Sequence, residues 1–140
     1  MQGQSGFTLA EVLVTLAVAG IVAATAHGAM ASLSATVQIQ GGARELAQTL
    51  RRTRSRAIAE GTTLDAVFDA ATATWSIRAV DGTIRTRGNL PAAVRFSSLP
   101  ARGRVRFAST GTAENATVVL GTSTGTKSIV VNQRGRVRLP

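Results

Sequence analysis

From Val12 to Ala26 the chain reads VLVTLAVAGIVAATA, and no formally charged side chain stands between Glu11 and Arg44. A helix packed on a soluble core carries polar residues along one face, whereas only Thr15 and Thr25 interrupt this run. Taken from Phe7 to Met30 as a helix rising ~1.5 Å per residue, the segment roughly matches the hydrocarbon thickness of a bilayer. It predicts a membrane helix over 7–30, or a signal segment that is removed. The next stretch, ARELAQTLRRTRSRAIAE at 43–60, places Leu46, Leu50, Ala57 and Ile58 at near-helical spacing and meets a stop at Gly61. It reads as the amphipathic continuation of the helix over 31–60, loosened at Gly41-Gly42, with Arg51, Arg52, Arg54 and Arg56 on the solvated face.

From Thr62 the period changes to two. Leu64-Ala66-Phe68, Trp75-Ile77-Ala79 and Ile84 alternate with polar neighbours, and Asp81-Gly82 between two such runs is a hairpin signal. Further strands are expected at 93–97, 104–109, 116–121, 127–132 and 136–139, the last turned by Asn132-Gln133-Arg134-Gly135. Ser, Thr and Gly runs at 109–113 and 121–126 predict loops. Phe68 and Trp75 are expected in the core. Asn115-Ala116-Thr117 has the form of a glycosylation sequon by chance. A helix followed by a run of short strands defines an α+β chain with one β domain at 61–140.

Composition narrows the function. The chain has 140 residues, enough for one domain, and contains no cysteine, so disulfides, zinc fingers and a thiol nucleophile are excluded. The single histidine, His27, sits in the apolar run and cannot head a metal cluster. Asp65, Asp69 and Asp81 fall at expected strand ends and a hairpin, where turn formation and solvation account for them. No glycine-rich phosphate loop is present. The pattern contains no catalytic site and calls for no metal or cofactor, so the chain is not expected to be an enzyme. The charge is unevenly spread: residues 1–81 balance, while 82–140 hold ten basic residues against one acidic residue, Glu114, which is the whole net charge of +9. Fifteen of the sixteen basic residues are arginine, whose planar fork suits phosphate and carboxylate.

Residues 6–11, Gly-Phe-Thr-Leu-Ala-Glu, stand directly before the apolar run. They resemble the prepilin cleavage motif of type IV pilins and type II secretion pseudopilins. The resemblance implies that a prepilin peptidase removes a leader, 1–6, after Gly6, and that the new terminus, Phe7, is N-methylated. It also implies that Glu11 is the assembly residue. A buried carboxylate paired with a neighbour's terminal amine can set the stagger of successive subunits, because removing one partner of such a pair costs ~3–5 kcal/mol. Ala24-Thr25-Ala26 and Ala29-Met30-Ala31 also resemble signal-peptidase sites, which leaves a released periplasmic domain as an alternative. LRRTRSRAIAEGTTLDAVF, VRFASTGTAENATVVLG and KSIVVNQRGRVRL together resemble the H-type pseudopilins and T-type minor pilins, the GspH/FimT family. This implies a type IV pilin-like fold, in which a long transmembrane and amphipathic helix packs on small antiparallel β-sheets. It also implies other pilins as partners through the N-terminal helix. The expected location is the bacterial inner membrane, with the C-terminal domain in the periplasm, and then a filament.

Arg102-Gly103-Arg104-Val105-Arg106-Phe107 and Arg134-Gly135-Arg136-Val137-Arg138-Leu139 nearly repeat each other. Strand alternation sets Arg104 and Arg106 over Val105 and Phe107, and Arg136 and Arg138 over Val137 and Leu139. Arg85 and Arg87 stand over Ile84 and Thr86. If the three stripes share one side of the domain, six guanidinium groups form a surface for a polyanion, with double-stranded DNA gripped by its phosphates without regard to sequence. With few aromatics, base stacking contributes little. Gly135 to Arg138 is also similar to a Gly-Arg-x-Arg element associated with DNA binding in T-type minor pilins. That implies Arg136 and Arg138 as phosphate contacts and Gly135 as the turn. Two machines fit the pattern: a type IV pilus that takes up DNA, and a type II secretion system whose H-type pseudopilin binds none.

Overall fold

The β domain follows the alternating pattern closely. The structure, a computed structural model, describes residues 8–140, the side chains of 25–29 and 31 excepted. Gly6 and Phe7 therefore lie outside the described residues. One helix, α1 (Leu9–Glu60), precedes eight strands: β1 (Leu64–Asp69), β2 (Thr74–Ala79), β3 (Ile84–Asn89), β4 (Arg95–Ser98), β5 (Arg104–Phe107), β6 (Ala116–Thr122), β7 (Gly125–Val131) and β8 (Val137–Arg138). The chain divides into two units, the first ending at Ser34 and the second running from Ala35 to Pro140.

Among the described residues of the first unit the large apolar side chains, including Leu9, Val12, Leu13, Val14, Leu16, Val18, Ile21 and Val22, are exposed. Among the described residues no helix is long and apolar enough to cross a membrane. The span expected over 7–30 starts at Phe7, before the described residues, and includes side chains that are not described.

The second unit holds its own core. Its part of α1 buries Ala35, Ile39, Ala43, Leu46, Ala47, Leu50, Thr53 and Ala57, a stripe stepping by three and four residues. Ile58, expected on this stripe, is half exposed. The helix is not loosened at Gly41-Gly42. A Cβ on Gly42 would stand 3.1 Å from Pro91 Cδ, so this glycine lets the 91–94 loop pack closely on a continuous helix. The helix stops at a Schellman motif: Gly61 takes φ 63°, its N–H donates to the Ile58 carbonyl, and the Thr62 N–H donates to that of Ala57.

The strands form two four-stranded antiparallel sheets, ordered β3-β2-β1-β5 and β4-β6-β7-β8. In the first, Leu64 lies opposite Ala79 on one side and Phe107 on the other, and Asp65 lies opposite Arg78 and Arg106. The inward residues Leu64, Ala66, Val105 and Phe107 join Val118, Leu120, Ile129 and Val131 of the second sheet and Leu46 and Leu50 of α1 in one core. Phe68 and Phe96 link the sheets through tilted rings, centroids 5.6 Å apart, and Trp75 is buried as expected. The strand expected to reach 109 ends at Phe107, because Ala108–Thr112 closes a turn in which Gly111 takes φ 80°. The last strand shortens to Val137–Arg138, since residues 132–136 form the turn before it.

Candidate nucleic-acid interface

At the head of α1, the Glu11 carboxylate accepts hydrogen bonds at 3.3 Å from the backbone N–H and the hydroxyl of Thr8, while the Glu11 N–H donates to the Thr8 hydroxyl. This is a reciprocal capping box that satisfies orphan donors of the first turn. Thr8-Leu9-Ala10-Glu11 carries the capping pattern in plain sight, a role beside the assembly role that the resemblance implies for Glu11. Within one chain Glu11 thus has a partner of its own.

The arginines expected to form one free surface separate into two kinds. Asp65, expected to serve turn formation and solvation, is instead buried as the second residue of β1 and faces the first near-repeat. Arg106 Nε and Nη2 donate to its two oxygens at 2.8 Å each, and Arg104 Nη1 donates at 3.3 Å. The hydrogen bond and attraction of Asp65 raise the Arg106 pKa above its ordinary value. Arg102 is likewise paired, Nη1 to Glu114 Oε1 at 3.2 Å. The whole Arg102–Arg104–Arg106 group is therefore tied to carboxylates. The undersides of Arg104 and Arg106, Val105 and Phe107, are fully buried as expected.

Arg85 and Arg87 sit on β3, the opposite edge of that sheet from β5. Register places Arg104, Val67, Ser76 and Arg87 in one cross-strand row, so these arginines emerge on one face, three strand spacings or ~14 Å apart. The apolar underside expected for Arg85 and Arg87 is absent, because Ile84 and Thr86 are exposed. Asp69 and Asp81 do serve turns. The Thr72 hydroxyl and the Ala71 N–H hold the Asp69 carboxyl below its ordinary pKa, and the Thr83 N–H does the same for Asp81.

The second near-repeat lies on β8, in the other sheet, so the two repeats do not form one stripe. Here the cations are free. Arg134, Arg136 and Arg138 are exposed, and none has a carboxylate partner among the described residues. Gly135 presents them. Its φ is 69°, its N–H donates to the Asn132 carbonyl at 2.8 Å, and the Arg136 N–H donates to Asn132 Oδ1 at 2.9 Å. A Cβ on Gly135 would collide with the Gly111 carbonyl oxygen and stand 2.6 Å from Arg54 Nε, so the turn requires glycine twice over.

The neighbour is the helix. Arg54 Nε donates to the Gly111 carbonyl at 2.8 Å, and Arg51 Nη2 donates to that of Val137 at 3.1 Å. Arg51, Arg54, Arg136 and Arg138 thereby line one groove of roughly 380 Å³. Arg51, Arg52 and Arg56 are exposed as expected of a solvated face, while Arg54 is partly buried. Arg52 points into a different depression, beside Glu45 and Trp75, and Arg56 pairs with Glu60. Spacing alone could have suggested the division, since 51 and 54 stand one turn apart and 52 and 56 form the next stripe.

A long helix continued into a domain of two small antiparallel sheets is the architecture of type IV pilin-like subunits. Residues 42–135 match the family described as type II transport protein GspH, and residues 1–26 match the prokaryotic N-terminal methylation motif. The chain belongs to the GspH family, as a minor pilin or pseudopilin with the N-terminal motif of a membrane-anchored filament subunit. Among solved structures it resembles the minor pseudopilin EpsH from the type 2 secretion system of Vibrio cholerae, at 15% identity and TM-score 0.62, covering 74% of this chain and 96% of that one. It also resembles the type IV minor pilin FimU of Pseudomonas aeruginosa, at 20% identity and TM-score 0.61, covering 75% and 90%. No curated protein matches the sequence.

Proposed function

We propose that the chain is a minor pilin of a type IV pilus that binds extracellular double-stranded DNA, without sequence preference, for uptake. The observation behind this is the Gly135 turn, which holds Arg134, Arg136 and Arg138 outward with no carboxylate among the described residues to neutralise them. Unpaired guanidinium groups on a rigid turn make charge-assisted contacts to phosphate with little loss of side-chain freedom. Arg85 and Arg87 extend the positive surface on the other sheet. Arg102, Arg104 and Arg106 contribute field rather than contacts, since Asp65 and Glu114 hold them.

Before assembly the subunit resides in the bacterial inner membrane by a single pass, with its C-terminal domain in the periplasm. Prepilin peptidase cuts after Gly6, Phe7 is N-methylated, and Glu11 leaves Thr8 to pair with the terminal amine of a neighbouring subunit. Intact mass of membrane-extracted protein tests the processing: a mature start near His27 or Ser32, with soluble periplasmic protein, would replace the filament subunit by a released domain.

The DNA test uses the full-length protein in non-ionic detergent and unrelated duplexes of one length. Affinity is expected to be alike for all of them and to fall with salt. Arg136→Ala with Arg138→Ala should weaken every duplex equally and flatten the slope of log K against log salt by about 2. No binding at low salt would instead assign the chain to the type II secretion system as an H-type pseudopilin without DNA binding.

A further inference from the structure

The groove beside β8 is built by two elements, and only one of them belongs to the Gly-Arg-x-Arg segment. Arg51 and Arg54 come from α1, in the half of the chain whose charges balance. Each spends one donor on a backbone carbonyl, Val137 for Arg51 and Gly111 for Arg54. A guanidinium has five N–H donors in a fixed fork, so each retains several. Neither has a carboxylate partner among the described residues, and both line the groove with Arg136 and Arg138.

We infer that the phosphate-binding site is composite: Arg51 and Arg54 contact the DNA backbone directly, and at the same time position the turn that presents Arg136 and Arg138. This rests on the DNA-binding reading above. The physical case is one of preorganisation. A guanidinium already pinned at one N–H has little rotamer freedom left to lose when a phosphate oxygen takes another. The carbonyl bonds tie Val137, just past the Gly135 turn, and Gly111, in the turn packed against Gly135, to the helix, so the free arginines are offered from a fixed frame. Arg52 supplies an internal control, because it has the same charge on the same turn of helix and lines a different depression, beside Glu45.

The test measures binding of full-length protein to duplex DNA across a salt series, for Arg51→Ala, Arg54→Ala, Arg51→Lys and Arg52→Ala. Fluorescence of Trp75, the single tryptophan, reports whether each variant keeps its core. Arg51→Ala and Arg54→Ala should each lower affinity roughly tenfold near 0.1 M salt and flatten the salt slope by ~0.9. Arg51→Lys should restore the slope, since a phosphate contact survives as a point charge, while affinity recovers only in part because the fork is lost. Arg52→Ala should leave the slope unchanged.

A lower affinity with an unchanged slope in the two alanine variants would reduce both arginines to structural props and overturn the inference. So would slope losses equal to those of Arg52→Ala, or a failure of Arg51→Lys to restore the slope. Wild-type protein that binds no DNA would remove the underlying reading as well. Binding that depends on Arg136 and Arg138 but not on Arg51 or Arg54 would remove the inference alone.

Discussion

Asp65 is the residue on which the division between held and free arginines depends, and its removal has a calculable cost. It is 7% exposed, while the Arg104 and Arg106 side chains keep 32% and 37% of their surface in solvent. Breaking a fully buried pair costs ~3–5 kcal/mol, and exposed pairs are worth about 0–1 kcal/mol. A buried carboxylate facing two partly solvated guanidiniums falls between, so Asp65→Ala should destabilise the 35–140 unit by ~2–3 kcal/mol. Arg106→Ala should cost about as much, because it strands the carboxylate with only the longer Arg104 contact. The double variant should then be less damaging than the sum, with a coupling of ~1–2 kcal/mol. Urea unfolding of residues 35–140, followed by Trp75 fluorescence, measures all three, and an unchanged denaturant slope confirms that only stability moved. Additive costs would mean that Asp65 does not hold Arg106. Arg104 and Arg106 would then be free cations, and Arg104→Ala with Arg106→Ala would flatten the DNA salt slope, which the geometry says it should not.

Three further outcomes follow from the packing. Gly88→Ala would drive a Cβ into the Trp75 indole, with Cε2 at 2.6 Å, and should cost over ~2 kcal/mol and red-shift the tryptophan emission; an unshifted spectrum would contradict the contact. Gly41→Ala, with nothing within 4 Å, should stabilise the unit by ~0.5–1 kcal/mol in urea, whereas Gly42→Ala meets Pro91 Cδ at 3.1 Å and should not. A loss on Gly41→Ala would show that the helix opens there. The Asp69 carboxyl is held below its ordinary pKa of 3.8 chiefly by the Thr72 hydroxyl, so its contribution is present above that value and fades as pH falls through the lowered one. The melting difference between wild type and Asp69→Ala should accordingly shrink below about pH 3.8, and a difference constant to lower pH would point to lost packing instead.

The fold was legible because each of its elements is decided locally. Period two from Leu64 to Ile84 and the Asp81-Gly82 turn produce β1, β2 and β3 with little tertiary help. Strand ends were less legible where a turn competes, as at Gly111, whose positive φ stops β5 at Phe107. The Gly41-Gly42 pair misled for a related reason. Glycine signals a hinge and a close approach equally well, and only the position of Pro91, about fifty residues away along the chain, decides between them.

The site was legible in part, because charge counted along a chain is not charge offered at a surface. The clustering of cations in residues 82–140 is real, yet strand pairing sets Asp65 opposite Arg106 and so neutralises part of it with a carboxylate from the balanced half. The same balanced half returns two cations, Arg51 and Arg54, to the groove beside Arg136 and Arg138. Both exchanges are long-range, 41 residues apart for Asp65 with Arg106 and 86 for Arg51 with Val137, so local spacing carries no trace of them. Register brings each arginine to a partner, and the partner decides whether the charge is used inside the domain or presented to a polyanion. The two near-repeats show this most directly. RGRVRF and RGRVRL differ by one residue, but the first sits beside a strand with an aspartate and the second beside a strand whose paired residues are Val130 and Val131. On that contrast the first repeat contributes to the stability of the domain, and the second keeps its cations free for the proposed phosphate contacts.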